Sequence, residues 1–226
     1  MTLVRRAQWG RDAGRQLLPA LGIRFKVIGQ IPERGLLVSN HLSYLDILIL
    51  GTVLPCFFVS KSEISRWPFF GWMSRTGGTI YLERSSRESA EKVSKEIRER
   101  LDLPVMVVLF PEGTSTDGSK LLRFRSRLFA PAIDTGSPVT AAAIRYVPDD
   151  GAPERELCWF GDEAFLPHLW RALGGAGFTA EVHFGESRVY TDRRIAAEAT
   201  HADVVEMRGG ETPAAQPDAA VAAIVK

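Results

Sequence analysis

Residues 105–112, VMVVLFPE, run apolar without a break as far as Pro111 and then end on an acid. A stretch with no polar face is what a strand shows when helices cover its sheet on both sides, and Pro111 withdraws an N–H donor where ladder pairing must stop. Three earlier stretches repeat the pattern: LLVSN (36–40) leads into His41, CFFVS (56–60) into Lys61, and GGTIYLE (77–83) into Arg84. Ligands of open α/β sheets gather beyond the carboxyl ends of the strands. A base, two cations and the Glu112 carboxylate are therefore expected to converge on one rim, as in an anion-handling active site.

Around these runs, strands and helices alternate. The plainest helix is 85–101, where Ala90, Val93, Ile97 and Leu101 share a face and Ser85 with Glu88 has capping-box spacing. Helices are also read at 4–21, at 44–54 with its entry at Ser43, at 126–135 with an interruption at Pro131, and at 192–208. Strands are read at 22–31, 35–40, 139–147, 157–160 and 178–184. The expected fold class is α/β, a mixed, largely parallel sheet flanked by helices, with an N-terminal amphipathic helix. That helix occupies residues 1–21 and one folded domain residues 22–208. Residues 209–226, in which Pro, Ala, Gly and Gln predominate, are expected to be a disordered tail.

With 226 residues, 45% of them hydrophobic, the chain can build one sizeable core. Lys and Arg number 28 against 27 acids, a net charge of +1 that gives no reason to expect nucleic acid as a partner. The N-terminal end is different: Arg5, Arg6, Arg11, Arg15, Arg24 and Lys26 face Asp12 alone, and could lean on an acidic surface. Cys56 and Cys158 have no metal-ligand spacing and read as reduced and structural. No apolar run approaches the ~20 residues that span a bilayer, and the N-terminus is too rich in Arg for a signal peptide. The expectation is a cytoplasmic protein, soluble or peripheral on a membrane.

His41 and Asp46 bracket a short segment, and five steps around a straight helix would put them on different faces. If instead His41 precedes the helix and Ser43 caps it, Asp46 falls in the first turn and its carboxylate can reach back to the imidazole. Asp46 would then fix the ring's tautomer for general-base work. Ser43 with Asp46 is also a capping-box pattern that needs no catalytic role, and taken alone the segment supports both readings.

After Glu112, Gly113 permits close backbone approach, so the loop could offer amides and the Thr114 hydroxyl to an oxyanion; it could also be a strand-ending turn. The Arg84 guanidinium suits bidentate binding of phosphate or carboxylate, while Arg84 and Lys61 each read equally as surface ion-pair partners. The aromatic stretch WPFFGWM (67–73) is core by default, or an acyl-chain wall or membrane-interface patch. Lys120, Arg123, Arg125 and Arg127 form a second basic stretch, either a solvated surface or a holder of donor phosphates or anionic headgroups.

Asn40-His41-Leu42-Ser43-Tyr44-Leu45-Asp46, Lys61 with Pro68 and Gly71, the 78–84 strand ending at Arg84, Phe110-Pro111-Glu112-Gly113-Thr114 and Ser137-Pro138-Val139 resemble, in order, the successive motifs of the glycerolipid acyltransferase family that includes lysophosphatidic acid acyltransferases. The resemblance covers about 22–147. Further on, CWFGD (158–162) and VHFGE (182–186) are similar to the lyso-ornithine-lipid branch of that family. The resemblance implies acyl transfer from a thioester of acyl carrier protein or coenzyme A, as co-substrate, to the hydroxyl of a lysolipid acceptor such as 1-acyl-glycerol-3-phosphate. It implies no bound cofactor, no metal, and a peripheral place on the inner face of the cell membrane.

On the matched positions His41 would be the general base and Asp46 its support. Arg84 and Lys61 would hold the acceptor's anionic headgroup, and Glu112, Gly113 and Thr114 would shape its site. The chain departs from the phosphatidate-forming pattern after Thr114, where Ser115 stands in place of an Arg that often follows, and at 126–129, which lacks a common Gly. These departures keep lyso-ornithine lipid open as the acceptor. Two other functions compete: a thioesterase or lipase with Ser43 as nucleophile, disfavoured because no Gly-x-Ser-x-Gly elbow occurs, and a noncatalytic lipid-binding protein resting on the basic N-terminus and the aromatic stretch.

Overall fold

The four apolar runs that end in charged or ionisable residues become neighbours. In a computed structural model of the chain, seven strands form one sheet in the order β1-β7-β6-β2-β5-β3-β4. The strands are β1 (Ile23–Ile28), β2 (Gly35–Ser39), β3 (Cys56–Lys61), β4 (Ile80–Leu82), β5 (Met106–Leu109), β6 (Val139–Pro148) and β7 (Phe178–Arg188). The structure describes residues 1–62, 65, 68–82 and 87–209, with the backbone alone at 61, 68–70, 73, 87, 88 and 90.

β2, β5, β3 and β4 are mutually parallel, so their carboxyl ends share one edge. β6 also runs parallel to β2, and β1 parallel to β7, while β6 and β7 pair antiparallel. This is the mixed, largely parallel sheet expected from the sequence. Among the described residues seven helices flank it: α1 (Leu3–Ala20), α2 (Leu45–Val53), α3 (Pro68–Gly77), α4 (Arg87–Leu101), α5 (Ala130–Thr135), α6 (Phe165–Gly174) and α7 (Arg193–Met207).

The unbroken apolar strands have two faces to bury, and each face has its own core. Leu37, Met106 and Val108 point into a cluster with residues of α1, α2 and α6. Leu36, Val38, Val107 and Leu109 point into another with residues of α4, α5 and α7. The alternation is the two-residue period of extended backbone. Gly14, which weakens α1 as a helix, is where α1 crosses α2: a Cβ there would lie 2.1 Å from Thr52 Oγ1. Close helix contact explains the residue where helix propensity does not.

Three expectations need correction. Residues 157–160 are no strand; a 3-10 turn, Glu154–Leu157, leads into a segment in which the Trp159 N–H bonds Leu42 O at 2.9 Å rather than a ladder partner. Helix α6 was missing from the sequence reading because Pro167 and the Gly174-Gly175 pair mask it; Pro167 falls in the first turn, where no N–H is needed. Residues 126–135 are two pieces, a 3-10 turn Ser126–Phe129 followed by α5, with Pro131 tolerated at the start of α5. The Ser85 and Glu88 capping box and the tail from 210 onward lie outside the described residues.

Candidate active site

Each residue at the β2 edge is pinned before the side chain of His41 is placed. Buried Asn40 accepts the Ile144 N–H at 2.8 Å and donates to Ile144 O at 3.0 Å, closing β2 against β6. The next amide, His41 N–H, donates to Glu112 Oε1 at 2.8 Å, and His41 O accepts the Thr116 N–H at 2.9 Å. The loop after β5 thus grips the backbone of His41 from both sides.

The imidazole Nδ1 lies 2.7 Å from Asp46 Oδ2, and the ring stacks on Phe110 with centroids 4.1 Å apart and planes 16° apart. Asp46 is 0% exposed. It accepts the amides of Leu42 at 2.7 Å and Ser43 at 3.0 Å, and the buried Tyr146 hydroxyl donates to its other oxygen. Burial, with the Asp46 charge beside it, pushes the Tyr146 phenol well above its ordinary range, so it stays a donor. A carboxylate held this way accepts a hydrogen bond from Nδ1–H and so leaves the neutral ring's lone pair on Nε2. The His41 side chain is 20% exposed, and Nε2 has no partner among the described residues.

The capping and pairing readings of this segment prove compatible, with a change in roles. Helix α2 has Tyr44 at its N-cap and no side-chain cap bond; Ser43 Oγ accepts the Leu45 N–H at 3.3 Å. Asp46 supplies the capping half by reaching back to the Ser43 amide. One carboxylate therefore holds both the backbone entering α2 and the imidazole.

Glu112 has the backbone as its business. It is 1% exposed, and its second oxygen accepts the Leu122 N–H at 2.9 Å. Burial raises its pKa to about 8 against the pull of the Leu122 and His41 amides. It shapes the rim by placing His41 and residue 122 rather than by presenting a free carboxylate. The Gly113 N–H is spent on Phe110 O at 3.0 Å, so this amide is not one the loop can offer to an oxyanion; φ at Gly113 is +77°. Thr114 is exposed at the same edge.

Lys61 ends β3 on the same edge, paired with Leu82 of β4. The Lys61 side chain, and Arg84 entirely, lie outside the described residues. Cys56 and Cys158 are free, buried thiols whose pKa burial raises, which removes them as nucleophiles. Among the described residues no helix is long and apolar enough to cross a membrane.

Three contributors escaped the sequence reading. Tyr146 sits 100 residues beyond Asp46, on a strand whose alternation marks it only as inward-facing. Arg208, just past α7, donates to Ile144 O at 2.6 Å, Gly118 O at 2.9 Å and Glu154 Oε2 at 2.9 Å, while Glu154 Oε1 accepts the Tyr146 N–H at 2.7 Å. The far end of the chain thereby braces β6 and the loop after β5.

An apolar cavity of about 180 Å³ opens between α1, α2, α3 and β3, lined among others by Ala13, Gly14, Ile47, Leu48, Phe58 and Trp72. Trp9 and Trp72 meet edge to face at its border, centroids 6.4 Å apart. The Phe58 ring faces the cavity and stacks on Phe110 at 6.5 Å, so two rings connect it with His41. Trp72, 53% exposed, therefore belongs to a wall rather than to the core. The arrangement supplies an imidazole oriented through Nδ1 and linked by two stacked rings to an apolar chamber.

Comparison with known proteins agrees with the geometry. Residues 22–145 match the family model described as Acyltransferase. The chain is 37% identical over 161 residues to a lyso-ornithine lipid O-acyltransferase of Pseudomonas aeruginosa, covering 71% of this chain and 62% of that relative. It is 36% identical to a 1-acyl-sn-glycerol-3-phosphate acyltransferase of Neisseria meningitidis, covering 76% of this chain and 69% of the other. The fold is shared with the crystal structure of the 1-acyl-sn-glycerophosphate (LPA) acyltransferase PlsC from Thermotoga maritima, at a TM-score of 0.65 and 19% identity over 90% of this chain and 80% of that one.

Proposed function

The chain belongs to the acyltransferase family, and from that premise we propose that it transfers a fatty acyl group from a thioester to the free hydroxyl of a lysolipid whose headgroup carries an oxyanion. The observation that carries the reading is His41, held by Asp46 through Nδ1, with Nε2 unpartnered among the described residues and the ring linked through Phe110 and Phe58 to an apolar cavity.

Nε2 accepts the proton of the lysolipid hydroxyl as its oxygen attacks the thioester carbonyl. A C–O bond forms, the tetrahedral intermediate collapses with cleavage of the C–S bond, and the imidazolium returns the proton to the departing thiolate. Asp46 keeps the ring in the required tautomer and stabilises the imidazolium; Tyr146 and two amides keep Asp46 in place. The cavity receives an apolar chain. Lys61 and Arg84 hold the headgroup anion, with Glu112, Gly113 and Thr114 shaping the loop beneath it. The donor is a thioester of acyl carrier protein or coenzyme A. The protein works peripherally on the inner membrane face, where Arg5, Arg6 and the half-exposed Trp9 of α1 meet anionic lipid.

Two acceptors fit: 1-acyl-glycerol-3-phosphate, yielding phosphatidic acid, and lyso-ornithine lipid, which the Pseudomonas relative favours. Purified protein given labelled acyl carrier protein and coenzyme A thioesters, with each lysolipid in turn, is expected to acylate at least one. His41→Ala is expected to lower kcat about 10³-fold. Undiminished turnover by that variant would remove His41 as the base, and release of free fatty acid without an acceptor would favour the thioesterase.

A further inference from the structure

Arg125 has a setting unlike the other cations of its segment. Its backbone N–H bonds Pro111 O at 3.0 Å, and the Leu122 N–H bonds Glu112 Oε2, so residues 122–125 are zipped along 111–113. Its guanidinium lies against Gly113: a Cβ on that glycine would fall 2.6 Å from Arg125 Cζ, 2.9 Å from Nη1 and 3.0 Å from Nε. Glycine is favoured here by its φ of +77°, and the missing Cβ leaves the room that the guanidinium occupies. Arg123 and Arg127 are exposed, whereas Arg125 is half-buried.

Among the described residues no carboxylate, carbonyl or hydroxyl pairs with the Arg125 side chain. The neighbouring Glu112 oxygens are committed to the His41 and Leu122 amides. A guanidinium partly withdrawn from water without an anion carries a desolvation cost that an oxyanion ligand would offset, through a planar fork of donors. The loop it covers is the loop that grips His41 at both its N–H and its carbonyl.

We infer that Arg125, seated on Gly113, is a binding and specificity residue for the oxyanion of the acceptor headgroup, phosphate or carboxylate, next to the base that activates the acceptor hydroxyl. The inference rests on the acyltransferase reading and adds a headgroup ligand to it. Acceptor specificity then depends on a cation delivered from the segment after the strand-end loop.

Acceptor and donor kinetics of Arg125→Ala, Arg125→Lys and Arg123→Ala test it, with 1-acyl-glycerol-3-phosphate and the zwitterionic lyso-ornithine lipid as acceptors that carry an oxyanion and 1-monoacylglycerol as the acceptor without one. Arg125→Ala is expected to raise KM for the oxyanion-bearing acceptor roughly 10- to 100-fold relative to 1-monoacylglycerol, the scale of a lost charge-assisted hydrogen bond. Arg125→Lys should recover part of the loss, and Arg123→Ala should leave KM within about threefold. The acceptor more affected identifies the oxyanion.

An equal effect from Arg123→Ala would reduce the site to diffuse surface charge. A rise in donor KM instead would move the anion to the thioester carrier, and an equal loss with 1-monoacylglycerol would make the role structural; each overturns the proposal. A binding readout separates this failure from failure of the acyltransferase reading. In the wild-type chain, sn-glycerol 3-phosphate or Nα-acetylornithine should shift the Arg125 Nε–H NMR resonance even if no acceptor is turned over, and absence of a shift with both overturns the site.

Discussion

The ends of β2 and β5 stand side by side, and each buries a carboxylate, but the two acids differ in what they hold. Asp46 gathers an imidazole, two amides and a phenol; Glu112 gathers two amides. One partner of Asp46 can gain a proton during reaction, so its charge bears on chemistry. Both partners of Glu112 are fixed backbone donors, so its work is to place the loop that carries His41. Burial outweighs the two amides that Glu112 holds, and its pKa rises to about 8. A buried acid's role follows from the number and kind of its donors, and these come from tertiary contacts.

The contrast breaks most visibly at Asp46. Asp46→Asn turns an amide group toward a cluster of donors and loses the Nδ1 tautomer, so kcat should fall about 10³-fold with the acceptor KM little changed. A loss below tenfold would make Asp46 a helix-capping residue alone. Glu112→Gln faces an N–H₂ toward a backbone N–H, and kcat should fall roughly 10- to 100-fold as the grip on His41 loosens.

The same pair of proteins reports the raised pKa. The native acid keeps its proton up to about pH 8, against an ordinary value of 4.5. Its favourable contribution to stability is complete below pH 4.5 and is lost as pH climbs toward 8, by at most ~1.4 kcal/mol per unit. Urea unfolding of wild type and Glu112→Gln at pH 5 and pH 8 should therefore show the wild-type advantage shrinking with rising pH. Parallel curves would mean that Glu112 ionises in its ordinary range.

The smallest kinetic effect is expected from Tyr146→Phe, which removes one of four donors to Asp46. Stability should drop by about 1.5–3 kcal/mol, as for a hydrogen bond to a charged group, while kcat falls less than about tenfold. A kcat loss as deep as that of Asp46→Asn would place the phenol in the chemistry itself.

The part of this site legible in the sequence is the part written in contiguous residues. Apolar runs ending at His41, Lys61 and Glu112 identify strands with covered faces, and the observed order sets those three ends on one edge. The spacing of His41 and Asp46 is readable because a first-turn carboxylate reaches back locally. Tyr146 and Arg208 are unreadable for the opposite reason: their partners lie 100 residues and 54 to 90 residues away, and neither alternation in β6 nor the end of α7 says what they meet. Ser43 misled in detail, since capping spacing cannot tell which of the two side chains completes the box. The strand expected at 157–160 had the composition of one, but its backbone bonds Leu42 instead of a sheet neighbour.

β1 has a consequence for the order of assembly. Its ladder partner is β7, with Ile23 opposite Phe178 and Ile28 opposite His183. A ribosome that has passed Glu112 has made the histidine, both acids and the helix between them, yet this edge of the sheet still waits for its mate, and Arg208 has not arrived to brace the rim. Closing so long a loop is slow compared with forming local turns. The geometry around His41 is thus completed only after β7 and Arg208 have been made, and until then β1 stays open to intruding neighbours.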